Sequence, residues 1–172
     1  MLIVVFGLPG TGKSFFSQYL KDEINADHLS SDRVRDEMNK KGEYDEKSKN
    51  EVYKHLMGKA EVKLKEGTDI IVDGTFHKQE RRDLATDVAG RTGHRIFFIQ
   101  IKASAETVKK RLKKSREDSE ADFKIYKKLE KEFDPCLSQH LTLWSDCATI
   151  SQMIIKAKNY IYGYPTDTCP DG

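Results

Sequence analysis

The chain has 172 residues, with 30 Lys plus Arg against 28 Asp plus Glu, so its formal charge is +2; charged residues make up 34% of it and hydrophobic residues 37%. This length fits one domain with a substantial core, and apolar residues gathered in blocks at low net charge exclude a disordered chain. No apolar run approaches the roughly 20 residues that span a bilayer, and near-balanced charge argues against a general nucleic-acid coat.

The N-terminal LIVVF runs directly into Gly7 and Pro9 rather than a cleavage region, so no secretory signal is expected. The three cysteines, Cys136, Cys147 and Cys169, show no CxxC spacing and no paired histidine. They are expected to be buried or incidental thiols in a protein of the reducing cytoplasm.

Residues 2–6 form a continuous apolar run, as predicted for a strand buried on both faces. A Gly-rich turn follows, then a helix expected to carry Phe15, Phe16, Tyr19 and Leu20 on one side. Residues 26–30 read as a weak strand ending in Ser31-Asp32, with a helix starting after Asp32. Segment 44–66 is predicted helical, because Tyr53, Leu56, Met57, Ala60 and Leu64 recur at helical spacing and Gly67 is placed to stop it. Strand 69–72, helix 78–91, strand 95–101 and helix 105–114 follow. A lysine-rich helix covers 119–132, and Pro135 marks a break. Strand 140–144 and helix 149–161, with Ile150, Met153, Ile154, Ala157 and Ile161 in register, complete the series. The tail YPTDTCPDG is expected to fray.

Strands alternating with helices imply a parallel sheet covered on both faces, with ligands at the carboxyl ends of the strands. That rule selects Gly7 onward, Ser31-Asp32 and Asp73 onward, which should converge on one rim.

Gly7-Leu8-Pro9-Gly10-Thr11-Gly12-Lys13-Ser14 matches the phosphate-loop pattern GxxxxGK(S/T), between a buried strand and an amphipathic helix. Its glycines let the backbone turn tightly and aim amides inward, and the helix adds the positive end of its dipole. Lys13 places a cation against the β- and γ-phosphates, and the Ser14 hydroxyl is a ligand for Mg2+. Phe15 stands where many such loops carry a second hydroxyl residue, and the backbone cradle does not depend on it. The expected fold is therefore a three-layer α/β P-loop NTPase with a five-stranded, mostly parallel sheet. A guanine-reading NKxD is missing, and Asp73-Gly74-Thr75-Phe76 stands where a signalling GTPase would carry DxxG. These features leave a small phosphotransferase that binds ATP with Mg2+. Asp73 ends a buried strand on the same rim: it could hold a water of the Mg2+ shell, contact the acceptor, or simply make an Asp-Gly turn.

Ser31-Asp32-x-x-Arg35, the segment IIVDGTFHKQERRD and the stretch RLKKSREDSEADFKIYKKLEKEFDP resemble, in consistent order over residues 1–161, the small P-loop kinases related to phage polynucleotide kinase, zeta-toxin and chloramphenicol phosphotransferase. The resemblance implies a nucleoside/polynucleotide-kinase-like fold with a helical lid at about 109–134 inside a single domain, 1–172. It implies that Asp32 is the general base for the acceptor hydroxyl, the alternative being a helix N-cap. Arg35, three residues on and expected on the same helical face, would hold an anionic group of the acceptor. Thr75 and Arg81 or Arg82 fall in the acceptor-side segment, with one arginine expected on the surface and the other in contact. His77 is expected to be an ordinary surface side chain.

Residues 109–116 carry six cations and no acid. The bland reading is a solvated helix face. The functional reading is an arm that closes, with Arg111 or Arg116 stabilising the transferring phosphoryl group. Asp118, Glu120 and Asp122 are placed to pair with that cluster in an open state. The expected activity is transfer of the ATP γ-phosphate to a hydroxyl of a small molecule. The alternatives are a polynucleotide 5′-hydroxyl kinase, or a nucleotide-dependent switch without an acceptor. Nucleic acid is not favoured, since charge is near neutral and Tyr44 and Tyr53 read as helix-face residues rather than a stacking platform.

Overall fold

The computed structural model describes residues 1–40, 42, 45–115 and 119–163. Expectations for Tyr44, Arg116, Asp118, Cys169 and the tail lie outside the described residues, as do those for the side chains of Glu120 and Asp122.

The five predicted strands pair as one sheet of β1 (Leu2–Phe6), β2 (Asp27–Ser30), β3 (Ile70–Gly74), β4 (Ile96–Lys102) and β5 (His140–Trp144). The order is β2-β3-β1-β4-β5, and every neighbouring pair is parallel, where the sequence led us to expect mostly parallel pairing. The helices are α1 (Lys13–Ile24), α2 (Ser31–Glu37), α3 (Glu46–Lys65), α4 (Gln79–Thr92), α5 (Ala105–Ser115), α6 (Ser119–Lys131) and α7 (Ile150–Tyr162). None of them is long and apolar enough to cross a membrane.

Strand alternation divides β1 between two cores. Leu2, Val4 and Phe6 pack with α3 and α4, while Ile3 and Val5 pack with α1 and α7. All five are fully buried, and each such side chain contributes about 1.5–3 kcal/mol. A third, smaller cluster of Ala103, Val108 and Tyr126, flanked by Leu8, Leu112 and Phe123, holds α5 and α6 together.

Local chemistry sets the element ends. Asp45 caps α3 by accepting from Ser48 N, and Thr149 with Gln152 forms a reciprocal capping box on α7. On α1 the expected four-residue apolar face is narrower: Phe16 and Leu20 are buried, but Phe15 and Tyr19 are exposed and pack on each other at 4.9 Å. They lie roughly 100° around the helix from the buried pair.

The adjacent arginines of α4 are both buried, against the expectation of one on the surface. Arg82, 0% exposed, lies beside the Phe6 and Phe133 rings, 5.6 and 5.7 Å from their centres. It donates to Phe76 O at 2.5 Å, Gln79 Oε1 at 2.9 Å, Asp134 O at 2.8 Å and Pro135 O at 2.9 Å. The guanidinium thus staples the turn after β3 to the segment leaving α6. An Arg82→Met variant leaves buried carbonyls without a donor and is expected to lose about 3 kcal/mol of stability. Arg91→Met, which removes an exposed pair with Glu61, is expected to change stability by less than about 0.5 kcal/mol. Urea unfolding of the two variants checks both values.

Candidate functional site

The phosphate-loop motif leaves the end of β1 under tight restraint. Gly7 has φ +147°, and a Cβ there would lie 2.2 Å from the Ile101 carbonyl oxygen, so no side chain fits. Gly7 N donates to Thr75 O at 3.3 Å, and Thr11 Oγ1 donates to Leu8 O at 2.8 Å. Gly12 precedes α1 in the left-handed region and brings no capping side chain. The helical ladder begins with Phe16 N on Gly12 O, so the amides of Lys13, Ser14 and Phe15 stay outside it, available to an anion.

Lys13 Nζ donates to Leu8 O at 3.0 Å. Burial pushes its pKa down, while the carboxylates of Asp73 and Asp32 act to raise it. The loop lysine and both rim carboxylates therefore share one electrostatic neighbourhood. Asp73 is 2% exposed. Its Oδ1 accepts from Ser14 Oγ at 3.3 Å and Ser30 Oγ at 3.4 Å, and its Oδ2 accepts from His28 Nε2 at 2.5 Å. A hydroxyl and a carboxylate oxygen side by side at the loop mouth are a hard-oxygen donor set, which suits Mg2+.

Asp32 does not cap α2. Ser30 does, accepting from Asp32 N at 3.3 Å, which leaves the Asp32 carboxylate exposed. Arg35, three residues on in the same helix, is buried along with Ser31 and Val34, whereas Asp32 is exposed. Thr75 is half-buried, and its carbonyl serves Gly7 as noted above.

On the far side of the loop lies a cavity of about 340 Å3, walled by Gly12, Phe15, Arg111, Ser145, Ile150 and Met153 among others. Arg111 reaches it from α5, donating to Ser145 Oγ at 2.8 Å, Thr11 O at 3.2 Å and Ser145 O at 3.1 Å. Ser145 Oγ in turn donates to Thr11 O at 2.6 Å. Arg111 is thus tied to the phosphate-loop backbone, while Arg116 lies outside the described residues. The β5–α7 turn was missed in the sequence, although it too follows a strand on this rim.

The wall that α2 and α3 build beside the end of β3 is tightly packed. A Cβ on Gly74 would meet Ser31 Oγ at 2.8 Å and Tyr53 Oη at 3.0 Å. Tyr53 Oη accepts from Phe76 N at 3.0 Å, and Phe76 itself sits at φ +42°. Tyr53 and Arg82 together hold that left-handed residue from both sides of its backbone. Arg81 donates to Glu46 Oε2 at 2.6 Å and to His77 Nδ1 at 3.1 Å, with its guanidinium over the Tyr53 ring.

His77 is buried rather than on the surface, which corrects the sequence expectation. Its pKa is pushed down to about 4, first by burial and then by the Arg81 charge. An unfolded chain binds this proton below about pH 6.5, and the native chain declines it down to about pH 4. His77 therefore removes stability as pH falls through that window. In His77→Asn an amide oxygen can still accept from Arg81 but does not titrate. Urea unfolding at pH 7 and pH 4 is expected to show a larger loss for the wild type than for the variant, by up to about 3 kcal/mol.

The geometry has counterparts among solved structures. The APS kinase of Mycobacterium tuberculosis, in complex with AMPPNP and APS, aligns over 94% of this chain and 96% of its own at 17% identity, with a TM-score of 0.77. A sugar kinase from Janibacter sp. HTCC2649 aligns over 94% of both chains at 17% identity, with a TM-score of 0.74. A gluconokinase from Sinorhizobium meliloti 1021 covers 94% of this chain and 91% of its own at 13% identity, with a TM-score of 0.71. At these identities the likeness shows the fold, that of an α/β P-loop NTPase. The sequence itself matches a family model described as AAA domain over residues 2–136. That match spans well over half of the chain, which therefore belongs to the AAA domain family.

Proposed function

We propose that this protein is a kinase that transfers the γ-phosphate of ATP to a hydroxyl of a small molecule. The observation that carries this reading is the pair of carboxylates acting on Lys13, one of them, Asp32, exposed on the acceptor side of the loop. A nucleotide switch needs the loop and a metal-side carboxylate, whereas the second, exposed carboxylate suits a proton acceptor beside the transferring group. Solved relatives of the fold named as APS kinase, sugar kinase and gluconokinase support a small acceptor over a polynucleotide.

The chemistry follows from the placement. The loop amides and Lys13 hold the β- and γ-phosphates, and the cavity beside Arg111 and Ser145 takes the nucleobase. Ser14 and Asp73 would hold Mg2+, which would supply positive charge against the charge that develops on the phosphate oxygens. Asp32 orients the acceptor hydroxyl and takes its proton. The acceptor oxygen bonds to the γ-phosphorus as the bond from that phosphorus to the bridging oxygen breaks, and ADP leaves. Arg35 and Thr75 contribute to the acceptor side. The α5–α6 hairpin acts as the lid of a single domain, excluding water on closure.

Lys13→Ala is expected to reduce turnover by at least about 100-fold. Because the native state holds this charge at a desolvation cost, the variant is expected to be no less stable than the wild type. Asp32→Asn is expected to lower phosphoryl transfer by about 100- to 10,000-fold while ATP binding persists. Label transfer from ATP, screened against sugars, nucleosides, aminoglycosides and 5′-hydroxyl oligonucleotides, supplies the acceptor for both measurements. Unchanged transfer in Asp32→Asn would remove the proton-acceptor role, and labelling of oligonucleotides alone would replace the small-molecule reading.

A further inference from the structure

We propose that His28 is a positioning residue for the metal–phosphate centre: it fixes the Asp73 carboxylate so that one oxygen faces Ser14 and the phosphate loop. This rests on the kinase reading above. β2 is short, and its period of two sends His28 and Ser30 to the same face of the sheet. The register pairs His28 with Ile71 and Ser30 with Asp73, so His28 meets Asp73 along the diagonal.

The two Asp73 oxygens are held unequally. Oδ2 takes a short bond of 2.5 Å from His28 Nε2, which, opposite a carboxylate, is the ring nitrogen that carries the proton. Among the described residues, Oδ1 has only the long contacts to the Ser14 and Ser30 hydroxyls, at 3.3 and 3.4 Å. One oxygen is therefore locked to the sheet, and the other is loosely engaged where a cation would sit beside Ser14. Without His28 the carboxylate is free to rotate about its Cβ–Cγ bond and exchange the two oxygens.

Packing does not account for the residue. The His28 side chain is 5% exposed, and its Nδ1 is buried with no hydrogen-bond partner among the described residues. An apolar side chain would fill this position without leaving a ring nitrogen unpaired. The imidazole is explained by the one polar contact its ring makes among the described residues, the bond to Asp73. Residues in this relation to a metal ligand typically change metal affinity by about 10- to 100-fold.

The test is calorimetric titration of a non-hydrolysable ATP analogue, with EDTA and with Mg2+, on wild type, His28→Leu, His28→Asn and His28→Gln. The glutamine amide can reach the site of Nε2 and donate, whereas asparagine is too short and leucine has no donor. The expected result is that His28→Leu and His28→Asn need at least about tenfold more Mg2+ for the same tightening of analogue binding. Binding in EDTA is expected to stay at the wild-type value, and His28→Gln is expected to restore most of the Mg2+ dependence. If His28→Leu fails to fold, the contrast of asparagine with glutamine carries the test. Equal Mg2+ dependence in all four proteins, or a loss in EDTA as large as that in Mg2+, would overturn the role of His28 and leave the kinase reading standing. A wild type whose analogue binding ignores Mg2+ would overturn both.

Discussion

Gly7 is wedged between two strands, and the position of the site follows from that contact. The central strand β1 is gripped on both faces by separate apolar cores, so its end can neither shift nor tilt. At that end the chain passes against the Ile101 carbonyl on one side and donates to Thr75 on the other. The phosphate loop is thus joined to β4 and to the segment after β3 before its own turn begins. The alignment of Ser14 with Asp73, and the reach of Arg111 and Ser145 onto Thr11, both require a loop anchored in this way.

The loop also divides two environments. On one side a partly apolar cavity is bounded by Phe15, Ile150 and Met153, with Arg111 and Ser145 supplying polarity. On the other, carboxylates and arginines crowd together, and several are buried. Burial of that much charge is tolerable because each group is engaged: Arg82 by backbone carbonyls, Arg81 by Glu46 and His77, and Asp73 by His28 and two hydroxyls. The small net charge of the chain is an average over these unlike regions and describes neither.

Much of this was legible in the residues. The loop motif and the apolar runs announce the sheet, the helices and the rim, because hydrophobic period and glycine placement act locally. Asp32 and Asp73 could be placed on that rim by counting from strand ends. His28, Tyr53 and Ser145 could not be assigned roles in the same way, since their partners lie 23 to 134 residues away and only the register of the sheet and the packing of the helices on it bring them together. The cap of α2 shows the same limit: Ser30 and Asp32 are both good capping residues, and tertiary context selects the serine. The sequence left open which of Arg81 and Arg82 lies on the surface; both are buried, and for Arg82 the Asp134 and Pro135 carbonyls it serves are 52 and 53 residues away.

The α5–α6 hairpin has a core of its own, a few side chains set apart from the two large clusters, and it rests on Leu8 of the loop. Val108 and Leu112 lie within 3.0 to 3.3 Å of the place a Gly10 side chain would occupy, so this small core also touches the phosphate loop directly. Units with so few buried apolar side chains belong to the low end of the range of local opening free energies. Substitutions inside it change how often the hairpin is seated on the loop without drawing on the cores that fold the sheet. On the proposed kinase reading, this is the segment through which ligand residence would be tuned by mutation at little expense to the stability of the whole.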